Sequence, residues 1–177
     1  MSNLKIYLTN LSQYTNGYLI GKYVQLPINE NDLKEVLKEI GIDGVQYEEY
    51  FISDIETDII GMEEIIEEYT SIKDLNELAE MLDNLNNDDL EKLQAILEAE
   101  KISSILELKE TIENLDNWNL YTDVNNEKDL GHLYADEFLC IEIPNYIKNY
   151  FDYESYGHDL RLELNGTFTT YGYILEN

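Results

Sequence analysis

Hydrophobic positions recur along this chain with two different periods. Near the start Leu4, Ile6 and Leu8 alternate with Lys5, Tyr7 and Thr9, the two-residue repeat of a half-buried strand. The run TNGYLIGKYVQLP turns at Asn16-Gly17 into a second β-rich segment. Asn29 or Asn31 is placed to cap a short helix, DLKEVLKEI, that Gly41 ends, and VQYEEYFISDIE reads as a third strand. From Thr70 and Ser71 the period lengthens. Ile72, Leu75, Leu78, Ala79 and Leu82 fall within an arc of about 120° on a helix, with Asp74, Glu77, Glu80 and Asp83 opposite. A second helix follows Asn86-Asn87, with Leu90, Leu93, Ile96 and Leu97 inward and Asp88, Glu91 and Glu98 outward. Ser104 and Glu107 have capping-box spacing for a third, SILELKETIENL, and together these suggest a small bundle. Beyond it Trp118, Leu120, Thr122 and Val124 alternate as a strand, and a helix is expected from Glu127 to Phe138. Pro144 leads another helix, NYIKNYFDYESYGHDL, and Asn165-Gly166 turns into a closing strand, GTFTTYGYILE.

The pattern therefore predicts an α+β chain in three subdomains. Residues 1–60 form a small α/β part, 61–104 a central acidic helical part, and 105–177 an α/β part with antiparallel strands. No fixed repeat and no Pro/Gly/Ser linker separates them, so they are expected to pack end to end as an elongated molecule.

Charge changes this picture most. Asp and Glu number 38 against 11 Lys and Arg, a formal net charge of −27. The acids are spread: the thirds 1–60, 61–120 and 121–177 carry −6, −13 and −8. No polyacidic block stands apart, so the charge rides on folded elements. Nucleic acid and anionic membrane surfaces would be repelled. Apolar residues make up 44% of the chain, ordinary for a globular protein, yet no apolar run is long enough to span a bilayer. The start, MSNLKIYLTN, lacks the pattern of a signal peptide, and the single Cys140 allows no internal disulfide. Both features fit a reducing cytoplasm.

Candidate chemistry is sparse. Nucleophilic catalysis needs a positioned base, and His132 and His158 lie in no familiar setting. One Cys and two separated His make a poor zinc set. DNLNNDDLEKL superficially resembles a calcium loop, but Asp88 stands where the turn glycine belongs and a helical pattern runs through it. Phosphate-binding glycine loops are absent. The acids themselves remain. In GMEEIIEEY the pairs Glu63/Glu67 and Glu64/Glu68 stand four apart; if helical, each like-charge pair costs about 0.2–0.5 kcal/mol. B-DNA carries one charge per ~1.7 Å, so a charge of −27 matches about 46 Å of duplex.

Several stretches resemble, in order, the ArdA antirestriction proteins of conjugative plasmids and transposons. IYLTNLSQYTNGYLIGKYVQLP is similar to the family's opening, and YEEYFISDIE and EYTSIKDLNELAEML to its next two blocks. FLCIEIPNYIKNYFDY resembles the antirestriction motif, with Leu139, Glu142, Ile143, Pro144, Tyr150, Phe151 and Asp152 at matching positions. DYESYGHDLRLELNGTF corresponds to the closing pattern, with His158 where an Arg is common, and the stretch around Asp58–Glu67 is longer than usual. The resemblance implies an elongated acidic homodimer in three subdomains that mimics bent B-form DNA. It would occupy the DNA-binding groove of type I restriction–modification enzymes, at the methyltransferase–specificity core, without catalysis or cofactor. Restriction would be blocked, and in the family often modification too.

On this reading the mimic surface is expected to include Glu63, Glu64, Glu67, Glu68, Asp74, Glu77, Glu80, Asp88, Glu91, Glu107, Glu110 and Glu113. Dimer contacts are expected, by resemblance, at Leu139, Ile143, Pro144, Tyr150 and Phe151. Two other readings fit the charge: a regulator of another basic DNA-binding protein, and a domain whose acids serve hydration alone. Ten lysines and eighteen asparagines speak against a halophile. The one arginine, Arg161, is expected to anchor nearby carboxylates such as Asp159 or Glu163.

Overall fold

The alternation at the N-terminus builds an antiparallel sheet, and the longer period beyond Ser71 builds amphipathic helices. A computed structural model of the chain describes residues 3–44, 49–138 and 143–177. The fold is α+β and divides into two compact units. The first comprises residues 1–85 and 102–110, the second 86–101 and 111–177.

In the first unit, β1 (Lys5–Asn10) lies between β2 (Gly21–Gln25) and β3 (Tyr50–Glu56), antiparallel to both. Leu4, Ile6 and Leu8 are fully buried, as their period requires; Ile6 pairs with Val24 and Leu8 with Ile52. The β-rich run after the Asn16-Gly17 turn is shorter than its hydrophobicity suggests, and before the turn Leu11–Thr15 form a short helix, α1. Asn10 causes it. Fully buried, its side chain accepts from the Gln13 N–H at 3.0 Å and donates to the Ile40 carbonyl at 3.1 Å. Ile40 ends α2 (Glu30–Glu39), which Asn29 caps through the N–H groups of Asn31 and Asp32. A one-turn helix, α3 (Met62–Ile65), precedes α4 (Ile72–Asp83). On α4 the expected face, Ile72, Leu75, Leu78, Ala79 and Leu82, is the buried one. Truncating any of its leucines would cost about 2–5 kcal/mol. Asn76 on the same helix brackets Ile28, accepting from its N–H at 2.8 Å and donating to its carbonyl at 2.7 Å.

In the second unit β6 (Gly172–Glu176) lies between β4 (Trp118–Tyr121) and β5 (Thr167–Thr169), again antiparallel. The predicted single closing strand is thus a hairpin, β5–β6, turned at Thr170-Tyr171. Glu98 holds that turn, accepting from the Thr170 N–H at 3.0 Å and its hydroxyl at 2.6 Å. Glu98 belongs to α5 (Asn87–Ala99), capped by Asn86 and packed on all three strands. There Leu93, Gln94, Ala95 and Ile96 are buried, whereas Leu90 and Leu97, expected inward, are half-buried. The helix α6 (Ile105–Glu113) leads to a 3₁₀ turn before β4.

The remaining helices are α7 (Glu127–Leu133), continued by a π-type turn to Phe138, then α8 (Asn145–Lys148) and α9 (Tyr153–Leu164). The single long helix predicted after Pro144 is broken in two. Asp152 caps a new start, accepting from the Ser155 N–H at 3.1 Å and its hydroxyl at 2.7 Å. Helices α7 and α9 cross at two glycines. A Cβ on Gly157 would stand 1.7 Å from the Glu127 carbonyl oxygen, and one on Gly131 1.9 Å from that of Tyr153. Beside this crossing Val124, Leu130, Leu160, Tyr173 and Leu175 form the core.

Candidate functional site

Each unit is strongly negative by itself. The first holds 20 acids and 6 basic residues, net −14; the second holds 18 and 5, net −13. Of the twelve carboxylates expected to act, eleven are exposed; Glu107 alone is half-buried. Glu107 is occupied with capping α6: it accepts from the Ser103 N–H at 2.8 Å while its own N–H donates to the Ser104 hydroxyl at 3.2 Å. The capping box is present but displaced by one residue.

The twelve differ in what surrounds them. Lys109, on α6, reaches Glu77 at 2.8 Å and Asp74 at 3.3 Å. Burial alone would push the Lys109 ammonium down, but its hydrogen bonds to Glu77 and Asp74 prevail and raise it. The same hydrogen bond, then the Lys109 charge, holds the Glu77 carboxyl below the usual range. Lys73 adds a longer contact to Glu77 at 3.7 Å. Asp74 and Glu77 are thus partly neutralised. By contrast, among the described residues no Lys or Arg lies within ion-pair distance of Glu63, Glu64, Glu67, Glu68, Glu80, Asp88, Glu91 or Glu113. The expected helical stacking of Glu63 on Glu67 and Glu64 on Glu68 does not occur. Helix α3 stops at Ile65, where Ile66 turns extended, so the four carboxylates do not share one helical row.

The acidic surroundings also act on a phenol. Tyr23 donates a hydrogen bond to Asp54, which with burial and the Asp54 charge pushes its pKa up to about 12.

The expected partners of Arg161 are corrected. Its Nε stands 3.1 Å from Glu127 Oε1, an ionic contact without hydrogen-bond geometry, and the same oxygen lies 2.9 Å from His158 Nδ1. The contact falls to Glu127, not to Asp159 or Glu163, because the glycine crossing brings the N-terminus of α7 against α9. The other histidine, His132, stacks on Tyr153 with centroids 3.7 Å apart. The two are used separately, each against a neighbouring helix. Among the described residues no three His, Cys, Asp or Glu side chains gather as a metal site. Nor is any described helix long and apolar enough to cross a membrane.

Of the residues expected at a dimer contact, Leu139 lies outside the described residues. Tyr150 is 87% exposed, Pro144 is exposed, and Ile143 is half-buried. Phe151 turns inward, its ring 4.8 Å from Tyr153 and 5.6 Å from Tyr156. Tyr146 and Ile147, beside them on α8, are exposed as well.

These features define an α+β protein whose folded units are both highly acidic and whose Arg and His residues tie helices together. The chain belongs to the ArdA family of antirestriction proteins, whose pattern it matches over residues 6–175 of 177. No match is found among curated proteins. Membership of the family gives it an antirestriction function and implies an interaction with restriction enzymes.

Proposed function

We propose that the chain blocks restriction by mimicking DNA, its exposed carboxylates standing in for phosphates in the DNA-binding groove of a type I restriction–modification enzyme. The methyltransferase–specificity core is the partner, and modification is blocked with restriction because both need the same groove. No reaction and no cofactor is involved. The observation that carries this reading is the set of eight exposed carboxylates, from Glu63 to Glu113, that no described Lys or Arg approaches. Fixed charges without a local counter-cation attract a basic groove over a Debye length, about 8–10 Å at physiological salt. The active form is a homodimer in the cytoplasm, joined through Leu139, Ile143, Pro144, Tyr150 and Phe151; the exposure of Tyr150 supports that face. Phe151, packed inward, would support it from beneath.

The test is competition. Purified protein added to a type I enzyme is expected to displace DNA, and rising salt to weaken the inhibition steeply. A lack of inhibition at low salt and protein excess would overturn the reading and favour acids that serve hydration alone.

A further inference from the structure

Spread charge attracts a partner without fixing where each side chain docks. The first unit also exposes aromatic surface that its core does not use. Tyr14 is 52% exposed and Tyr69 is 69% exposed, and both lean on Phe51, which is buried. Tyr14 meets the Phe51 ring edge-on with centroids 5.2 Å apart, and Tyr69 lies tilted at 6.5 Å. Backbone bonds on either side of Phe51 hold this group to β3. The Leu11 N–H donates to the Glu49 carbonyl at 3.1 Å, and the Ile52 N–H to the Glu68 carbonyl at 2.8 Å. Beside Tyr69 opens a cleft of about 380 Å³, lined among others by Tyr50, Ile52, Glu68 and Lys73. Glu68 is exposed in its lining with no described Lys or Arg in ion-pair distance, while Lys73 sits 3.7 Å from Glu77.

We infer that this cleft receives an arginine side chain of a basic protein, the guanidinium lying on the Tyr69 ring with the Glu68 carboxylate at its edge. A guanidinium is planar, weakly hydrated and suited to stack on an aromatic face while bonding a carboxylate. Tyr and Arg are the residue types in which binding energy concentrates at interfaces. A second copy of this chain is a poor donor, because its one arginine is engaged with Glu127. The inference rests on the proposed competition for a basic groove, and adds to it one anchored contact within a diffuse field.

The test compares Tyr69→Ala, Tyr69→Phe, Glu68→Gln and Lys73→Ala in the full chain, with circular dichroism as the folding control. Inhibition of a type I methyltransferase–specificity core is measured across a salt series. Tyr69→Ala is expected to weaken inhibition about tenfold at every salt concentration, leaving the salt slope unchanged. Tyr69→Phe should stay within about twofold, since the ring remains. Glu68→Gln should weaken inhibition and flatten the slope, and Lys73→Ala should tighten it slightly. A Tyr69→Ala protein within twofold of the parent, or a Tyr69→Phe protein as weak as Tyr69→Ala, would overturn the inference. A second arm titrates the acetylated tripeptide amide Arg-Arg-Arg into the full chain and follows tyrosine ring protons by NMR. Saturable shifts at Tyr69, lost in Tyr69→Ala and weaker with the Lys-Lys-Lys peptide, are expected; shifts confined to other sites would refute the cleft. If the parent protein fails to inhibit, the DNA-competition reading falls while this arm still decides the cleft.

Discussion

Lys109 in the first unit and Arg161 in the second are both cations set among acids, yet they work in opposite senses. Lys109 is the more buried, 14% exposed against 41%, and one ammonium gathers two carboxylates, Asp74 and Glu77. At the other cluster one carboxylate, Glu127, gathers two basic groups, Arg161 and His158. In a chain of net charge −27 the first arrangement relieves a like-charge pair on α4, which would otherwise repel across one helical turn. The second spends scarce positive charge on a join between α7 and α9. What permits it is the glycine crossing, which seats Glu127 over α9. The clusters therefore teach that cations here serve the fold, and that acids left without them are the ones free to face a partner.

The largest effect on stability is expected at the crossing of α7 and α9. Gly157→Ala would drive a methyl group to 1.7 Å from the Glu127 carbonyl oxygen. Alanine's better helix propensity, worth about 1 kcal/mol, cannot offset backbone separated by force. The second unit should lose at least about 3 kcal/mol in urea or thermal unfolding. Wild-type stability in this variant would mean that the helices do not meet at these glycines.

The next effect in size is Lys109→Met, which leaves Asp74 and Glu77 facing each other. A loss of a few degrees in Tm is expected, and its pH dependence sharpens the assignment. The Glu77 carboxyl is held below its ordinary value of 4.5, so its share of stability is present above that value and lost as pH falls through the depressed one. The Lys109 ammonium is raised above 10.5, so its share is present below that value and lost as pH rises through the raised one. The gap between parent and variant should thus be flat through neutrality and shrink toward both extremes. A gap that persists unchanged into strong acid would assign the effect to lost packing of the lysine stem.

Smaller again is the Arg161 cluster, since Arg161 is more exposed and Glu127 keeps His158. Arg161→Met is expected to destabilise less than Lys109→Met, and Glu127→Gln, which removes the Arg161 ion pair and weakens the His158 contact at once, more than Arg161→Met. The reverse order would show that Arg161 contributes through its apolar stem, not through Glu127.

How much of this can be read in the residues depends on the range of the forces involved. The α4 face is legible because one helix sets its own period, and Ile72 to Leu82 need no partner to declare themselves. The β1 alternation is legible for the same reason, and the α2 cap is narrowed to Asn29 or Asn31, of which Asn29 caps. The Arg161–Glu127 contact is not: 34 positions separate the two, and only the close approach at Gly131 and Gly157 joins them. Both glycines stand in the sequence, LGHL and YGHD, but a small residue in a helix signals a crossing only when its partner is known. Helix α1 is hidden because Asn10 ends a strand in the alternating pattern, while its buried side chain also caps the helix after it. The acidic surface is legible as composition. Which acids carry no cation is not, because Lys109 reaches Asp74 and Glu77 from another helix.

That last distinction decides which substitution probes the charge field cleanly. Glu77→Lys would set a third ammonium against Lys109 and Lys73, so any loss of inhibition would be confounded by damage to α4. Glu80 on α4 and Glu91 on α5 are exposed, lie one in each unit, and have no described Lys or Arg in reach. Neutralising either removes one charge and touches nothing in the core. In high dielectric one exposed charge is worth about 0.2–1 kcal/mol, so Glu80→Gln or Glu91→Gln should weaken inhibition of restriction by about two- to threefold at low salt and less at high salt. Distant charges add, so the double variant should show the product of the two factors. A tenfold loss from either alone would replace the distributed field by a local site. Equal losses from both place the partner's basic groove against both units, while a loss confined to Glu80→Gln would restrict the contact to the unit that also carries Tyr69.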